Sequence, residues 1–192
     1  MYDKIPGSVL SYGEIKKLLK RKGDSQSLVE NTIDIRTQLQ PNGFDFTVWK
    51  IFRFANTAGK IAFDNSEREL PETYEIEFNE NNWIYLPKGY YKIILNEKLN
   101  IPKDVMAIGA PRSSLLRVGV SVETAIWDAG YSGRSECLLI VFNEKGFYIK
   151  KNARVVQLIF IKISKVSRSG KSYNGQYNFE NDFVKQQELA DF

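Results

Sequence analysis

The chain is expected to be all-β, with a short N-terminal helix ahead of strands that close into a barrel or pack as a sandwich. Three observations predict this. Beyond Gly23 no stretch holds the 3.6-residue apolar period of a helix, short segments rich in aromatic and β-branched residues follow one another, and Pro, Gly and Asn separate them. Short strands without intervening helices can bury their apolar faces only against one another.

Each element has a local reason. Ser11 followed three residues later by Glu14 is a capping-box signature, and Ile15, Leu18 and Leu19 form one helical stripe that ends before Gly23. Alternation at Ile33 and Ile35 opens the strand-rich part. It continues through 44 to 54, 74 to 78, 83 to 86, 90 to 95, 105 to 109, 116 to 126, 136 to 142 and 154 to 163. No internal repeat is present and no linker rich in Gly, Ser or Pro divides the chain, so its 192 residues are read as a single domain, 1–192. The stretch from Val166 to Phe192 is polar and irregular. It reads as a tail, mobile or ordered on a neighbouring subunit.

Composition removes several function classes. With 43% hydrophobic and 26% charged residues the chain is ordinary for a globular protein, and no apolar run approaches the roughly 20 residues needed to span a bilayer. Met1 to Pro6 lacks a signal-peptide core, so a cytoplasmic location is expected. Cys137 is the single cysteine, which excludes an internal disulfide, and its apolar surroundings suit packing better than nucleophilic attack. With no histidine beside it, a zinc site of the cytidine deaminase kind cannot be assembled. The net charge is only +4, and groups such as Lys16-Lys17 and Lys20-Arg21-Lys22 read as a solvated helix face. Neither a membrane nor a specific nucleic acid is expected as partner, whereas a basic balance favours a polyanionic small ligand.

Two segments carry chemistry. Arg112-Ser113-Ser114-Leu115 supplies a cation and two hydroxyls able to hold phosphate oxygens, and sixteen residues after the arginine begins Asp128-Ala129-Gly130-Tyr131-Ser132-Gly133. There the carboxylate can take a proton from water and the ring offers a flat face to a sugar. Each segment also has a plainer reading, as a Ser-rich helix start and as a hairpin turn capped by its aspartate.

Together, and in this order, the segments resemble the dUTPase and dCTP deaminase superfamily, and most closely its archaeal-type dUTPases. Gln40-Pro41-Asn42-Gly43-Phe44-Asp45-Phe46-Thr47-Val48 looks like the family's first motif. Leu86-Pro87-Lys88-Gly89, then Glu97, Leu99, Pro102 and Met106-Ala107, is similar to its approach to the arginine, and Asn152 to Ile159 to its fourth motif. Tyr173-Asn174-Gly175-Gln176-Tyr177 resembles a degraded fifth, which would give Tyr173 and Gln176 to substrate. The fold implied is a distorted jelly-roll barrel. The leading helix is like that of the deaminase and archaeal branch.

The resemblance implies a role for each residue. Asp128 would activate a water for in-line attack on the α-phosphorus of dUTP, giving dUMP and pyrophosphate. Tyr131 would lie beneath the deoxyribose, where a 2′-hydroxyl collides with it. Arg112 would brace the phosphate site by pairing with Asp45, Ser113 and Ser114 would bind phosphate, and Gln157 would contact phosphate or an adjacent chain, or merely edge its strand. Gly130 and Gly133 would support the turn through positive φ. In 121 to 126, including Thr124 and Ala125, main-chain groups would read uracil, since one N–H and one C=O placed opposite uracil are both mismatched by cytosine. Mg²⁺ bound through the triphosphate, and a homotrimer with shared sites, are also implied.

One position separates the two activities. The deaminases carry a proton-shuttling glutamate ten residues after the turn aspartate; here that residue is Leu138. Glu136 shares its face but stands two strand residues away, roughly 6 to 7 Å, and only a bulge between Gly133 and Leu138 would shift it into place. Arg117 matches a deaminase-side position. The expectation is therefore a dUTP diphosphatase, with a deaminase or bifunctional enzyme, and a non-catalytic nucleotide-binding regulator, as the alternatives.

Overall fold

The computed structural model describes residues 6–20, 26–164, 173 and 175–182. Its elements are α1 (Tyr12–Leu19), β1 (Val29–Glu30), α2 (Ile35–Gln38), β2 (Leu39–Gln40), β3 (Gly43–Phe54), a 3-10 turn (Asn65–Glu67), β4 (Thr73–Ile76), β5 (Trp83–Leu86), β6 (Gly89–Leu95), β7 (Lys98–Asn100), β8 (Val105–Pro111), α3 (Ser113–Arg117), β9 (Val120–Glu123), β10 (Ser132–Gly133), β11 (Glu136–Val141), β12 (Phe147–Lys150) and β13 (Arg154–Lys162). The main sheet runs β8-β13-β3-β6-β11-β9, with β2 and β4 also paired to β3, and every pairing is antiparallel. Its ends curl together through an antiparallel bridge between Ala107 and Trp127, so the sheet nearly closes. The all-β barrel is as expected.

The long central strand β3 is buried on both faces over its first half. Phe44, Phe46 and Val48 point into the apolar core with Ile93, Leu139, Leu158 and Phe160, while the alternate residues Asp45 and Thr47 form a buried polar layer. Such a layer persists only if its groups are hydrogen-bonded. Glu97, fully buried, supplies the acceptors. Its carboxylate accepts from Gln38 Nε2 at 2.6 Å, Thr47 N at 2.9 Å and Thr47 Oγ1 at 2.6 Å, tying α2 to β3. Burial pushes the Glu97 carboxyl up, and these donors pull it back.

The N-terminal helix forms where expected. Ser11 N donates to Glu14 Oε2 at 2.9 Å, and Ile15 and Leu18 are its buried residues. Two strand expectations are corrected. Ile33 and Ile35 do not alternate along a strand: Asp34 caps a short helix by accepting from Arg36 N at 3.0 Å, which leaves both isoleucines exposed. The stretch 116 to 126 is not one strand either, because Ser113–Arg117 winds into α3, and Gly119 at φ +74 makes the turn that lets β9 begin. Strands β1, β2, β7, β10 and β12 lie outside the expected stretches. No helix among the described residues is long and apolar enough to cross a membrane.

Candidate active site

The turn from Asp128 to Tyr131 is anchored on both sides. Before it, Trp127 and Ala107 exchange backbone hydrogen bonds at 3.1 and 2.9 Å. Within it Tyr131 N donates to Asp128 O at 3.1 Å, and Gly130 takes φ +92, a conformation costly for any residue with a Cβ. Gly133 serves differently from the expectation. Its φ is not positive; instead a Cβ there would stand 3.0 Å from Tyr131 Oη and 3.1 Å from Glu180 N, so the glycine admits the close approach of the tyrosine hydroxyl and of the C-terminal segment.

Asp128 is exposed, and its carboxylate accepts no hydrogen bond from any described residue. The side-chain capping role is therefore not realised among them. It lines a cavity of about 90 Å³ together with Ala125, Ile126, Tyr131, Tyr173 and Glu180. Tyr131 is buried, and its ring meets Tyr173 edge-on at 5.7 Å. A hydrogen-bonded series runs along the cavity floor. Trp127 Nε1 donates to Ser135 Oγ at 2.6 Å, Ser135 Oγ lies 3.0 Å from the Tyr131 hydroxyl, and that hydroxyl donates to Glu180 Oε1 at 2.6 Å. Burial pushes the Glu180 carboxyl up to about 7, against the pull of the Tyr131 hydrogen bond. Burial and the neighbouring Glu180 carboxylate raise the Tyr131 phenol. Burial likewise raises the Cys137 thiol to about 12, which leaves it a packing residue.

Sheet pairing stops short of the cavity rim. Strand β9 pairs with β11 only as far as Glu123 opposite Leu138, and the peptide groups of Thr124, Ala125 and Ile126 make no backbone hydrogen bond with described residues. Beside them β11 runs in unbroken register with β6 from Glu136 to Val141, so no bulge lies between Glu136 and Leu138. Glu136 lines the Asp128 cavity, but its carboxylate lies 3.2 Å from Lys92 Nζ and 3.4 Å from Asn181 Nδ2. Leu138 faces an adjoining open cavity of about 370 Å³ with Ala125, Glu123 and Lys92.

The phosphate-directed residues gather elsewhere. Arg112 Nε lies 3.0 Å from Asp45 Oδ2, the pairing that the resemblance implied, and Arg154 Nη1 lies 3.0 Å from the same oxygen. Burial pushes the Asp45 carboxyl up, and the guanidiniums of Arg112 and Arg154 pull it back. Gln157 stands opposite Asp45 on β3 and Ala110 on β8, while Ser113 and Ser114 are exposed at the start of α3, with Arg117 exposed at its end. None of Arg112, Ser113, Ser114 or Gln157 lines the cavity around Asp128.

Part of the C-terminal stretch docks on the turn of its own chain. Tyr173 N donates to Ala129 O at 2.8 Å, Phe179 N to Ser132 O at 2.6 Å and Arg134 N to Glu180 O at 2.9 Å. Gln176, expected to reach substrate, accepts from Arg68, which also bonds Tyr177 Oη at 2.7 Å. Most of the expected tail lies outside the described residues. Arg154, Glu180 and Ser135 were missed as site residues. Arg154 lay within a quoted motif, but neither Glu180 nor Ser135 sits in any pattern that marks it.

Comparison with known proteins shows the family. The chain belongs to the dCTP deaminase-like family, whose model matches residues 9–163. It is 47% identical over 174 residues to a probable deoxyuridine 5′-triphosphate nucleotidohydrolase of Methanosarcina acetivorans, covering 91% of this chain and 98% of the relative. To the deoxyuridine 5′-triphosphate nucleotidohydrolase of Methanocaldococcus jannaschii it is 40% identical over 126 residues, 65% of this chain and 79% of that one. The fold is similar to that of the 2′-deoxycytidine 5′-triphosphate deaminase from Agrobacterium tumefaciens, with a TM-score of 0.59 at 20% identity, covering 82% of this chain and 49% of that one.

Proposed function

We propose that the protein hydrolyses dUTP to dUMP and pyrophosphate. The observation that carries this is Asp128, an exposed carboxylate without a protein hydrogen-bond partner among the described residues, at the mouth of a cavity floored by a buried tyrosine. The two relatives named as deoxyuridine triphosphate nucleotidohydrolases supply the substrate. Asp128 orients a water and accepts its proton as the oxygen attacks the α-phosphorus; the bond to the bridging oxygen of the β-phosphate breaks and pyrophosphate leaves. Peptide groups of Thr124 to Ile126, which the sheet leaves unpaired, read the uracil edge.

Arg112, Ser113, Ser114 and Gln157 hold the phosphates. The Arg112–Asp45 pairing uses Nε, so the other guanidinium nitrogens are not consumed by it. That these residues do not line the Asp128 cavity of their own chain supports a site completed by a second copy, as in a homotrimer. A Mg²⁺ ion would be held chiefly by phosphate oxygens, with the Asp128 carboxylate nearby. Such an ion would neutralise triphosphate charge.

Deamination of dCTP is the second reading, favoured only by Glu136 on the cavity wall. Its pairing with Lys92 and the unbroken register of β11 support a structural role instead. Incubation with dUTP and dCTP separately, followed by chromatography of the products, tests both. The expected products are dUMP and pyrophosphate from dUTP alone; dUTP left intact would overturn the proposal.

A further inference from the structure

We propose that Glu180, carried by the C-terminal segment, is the positioning residue for Tyr131, so that selection of deoxyribose over ribose depends on that segment as well as on the turn. The inference rests on the dUTP reading of the site. Three observations carry it. The Tyr131 hydroxyl is buried and has two partners in the described structure, Ser135 and Glu180. Trp127 Nε1–H can only donate, so its bond to Ser135 Oγ leaves the Ser135 proton free to point at the tyrosine oxygen, and the tyrosine proton at Glu180. Glu180 is thus the terminal acceptor that sets the direction of the whole series. It is held there by its own backbone, since Glu180 O accepts from Arg134 N at 2.9 Å and the preceding Phe179 N donates to Ser132 O at 2.6 Å.

A tyrosine ring fixed at its hydroxyl cannot tilt out of the way. Without the acceptor, the hydroxyl keeps Ser135 alone as a described partner, and the ring can yield to a 2′-hydroxyl. The clamp is also proton-linked. Facing Glu180 are Tyr131 from the turn, Glu136 and Cys137 from β11, Lys92 from β6 and Tyr173 from its own segment. Burial and Glu136 favour the protonated carboxyl, whose carbonyl oxygen still accepts from the phenol; Tyr131 and Lys92 favour the anion. Because the docked carboxyl titrates at about 7, above its ordinary value, docking is favoured below that ordinary value and weakens as pH rises through about 7.

The test measures kcat and KM for dUTP and UTP with wild type, Glu180→Ala, Glu180→Gln and Tyr131→Phe between about pH 6 and 8.5, a window spanning the Glu180 titration. The ratio of kcat/KM values should fall by about tenfold in Glu180→Ala, as expected for loss of one buried hydrogen bond to a charged or polar acceptor. Tyr131→Phe should match it, and the double variant should add nothing further. Glu180→Gln keeps the acceptor oxygen without the titration. It should retain the wild-type ratio at pH 6 and hold it at pH 8.5, where the ratio of the wild type declines. An unchanged ratio in Glu180→Ala, or an equal rise in KM for both nucleotides, would overturn the inference while leaving dUTP hydrolysis intact. If wild type consumes no dUTP, the underlying reading fails instead.

Discussion

Arg112, at the start of α3, meets Asp45 of β3 at 3.0 Å, and Arg154 reaches the same carboxylate oxygen from β13. Asp45 is 1% exposed, whereas the two arginines keep 27% and 31% of their side chains in solvent. The aspartate is therefore an internal post that aims two cations outward. Replacing it by Ala should lower stability by about 1 to 3 kcal/mol, below the cost of breaking a fully buried pair because the arginines can recover water. The KM for dUTP should rise as well. Denaturant midpoints and steady-state kinetics check both, and an unchanged KM would separate the post from the phosphate site.

Asp128→Asn should keep the fold, because no described residue donates to its carboxylate. Turnover should drop by roughly 10² to 10⁴, since an amide cannot accept the proton of the attacking water. Pyrophosphate release under saturating dUTP is the measurement. Near-normal turnover would remove Asp128 from the mechanism.

Sugar discrimination gives an independent check on Tyr131. Wild type should prefer dUTP to UTP, and Tyr131→Ala should erode that preference while also loosening the turn, because the ring is buried against Tyr173. Competition between the two nucleotides in one reaction reports the ratio directly. A wild type that hydrolyses both alike has no gate at this residue.

No dUTP or dUMP should arise from dCTP under conditions that exhaust dUTP. Leu138 cannot carry a proton, and Glu136 is engaged by Lys92 at 3.2 Å. Leu138→Glu alone should not create the activity, because it adds a carboxylate without the supporting network that would orient it. Deamination by the unmodified protein that disappears in Glu136→Gln would place Glu136 in the shuttle role.

The strands of the main sheet were legible because each carries its own signal: β-branched and aromatic residues bounded by Gly, Pro or Asn. Where a short helix forms instead, with a side-chain cap at Asp34 and without one at Arg112, the strand signal misleads. Asp34 turned Ile35 into a helix start, and a short helix at Ser113 consumed the front of an expected strand. Strands β1, β7 and β10 are two or three residues long, held by pairing with one another, and pairing leaves no mark on any one of them. The same contrast holds at the site. Asp45, Arg112, Asp128 and Tyr131 stand in motifs, whereas Glu180 enters through the fold of a polar tail and Ser135 through a side-chain relay. The positive φ expected at Gly133 is not found, since a glycine that admits close approach cannot be told in a sequence from one that takes positive φ.

The unpaired stretch from Thr124 to Ile126 has a consequence for how this protein can change. On the proposed reading, in which these peptide groups meet the base, the reader is the same whichever residues carry it, so substitutions there should alter fit long before they alter which pyrimidine is accepted. Length is another matter. One inserted or deleted residue between Glu123 and Trp127 would exchange donor for acceptor along the rim, and base preference would then shift through the spacing of the chain while its chemistry stayed untouched.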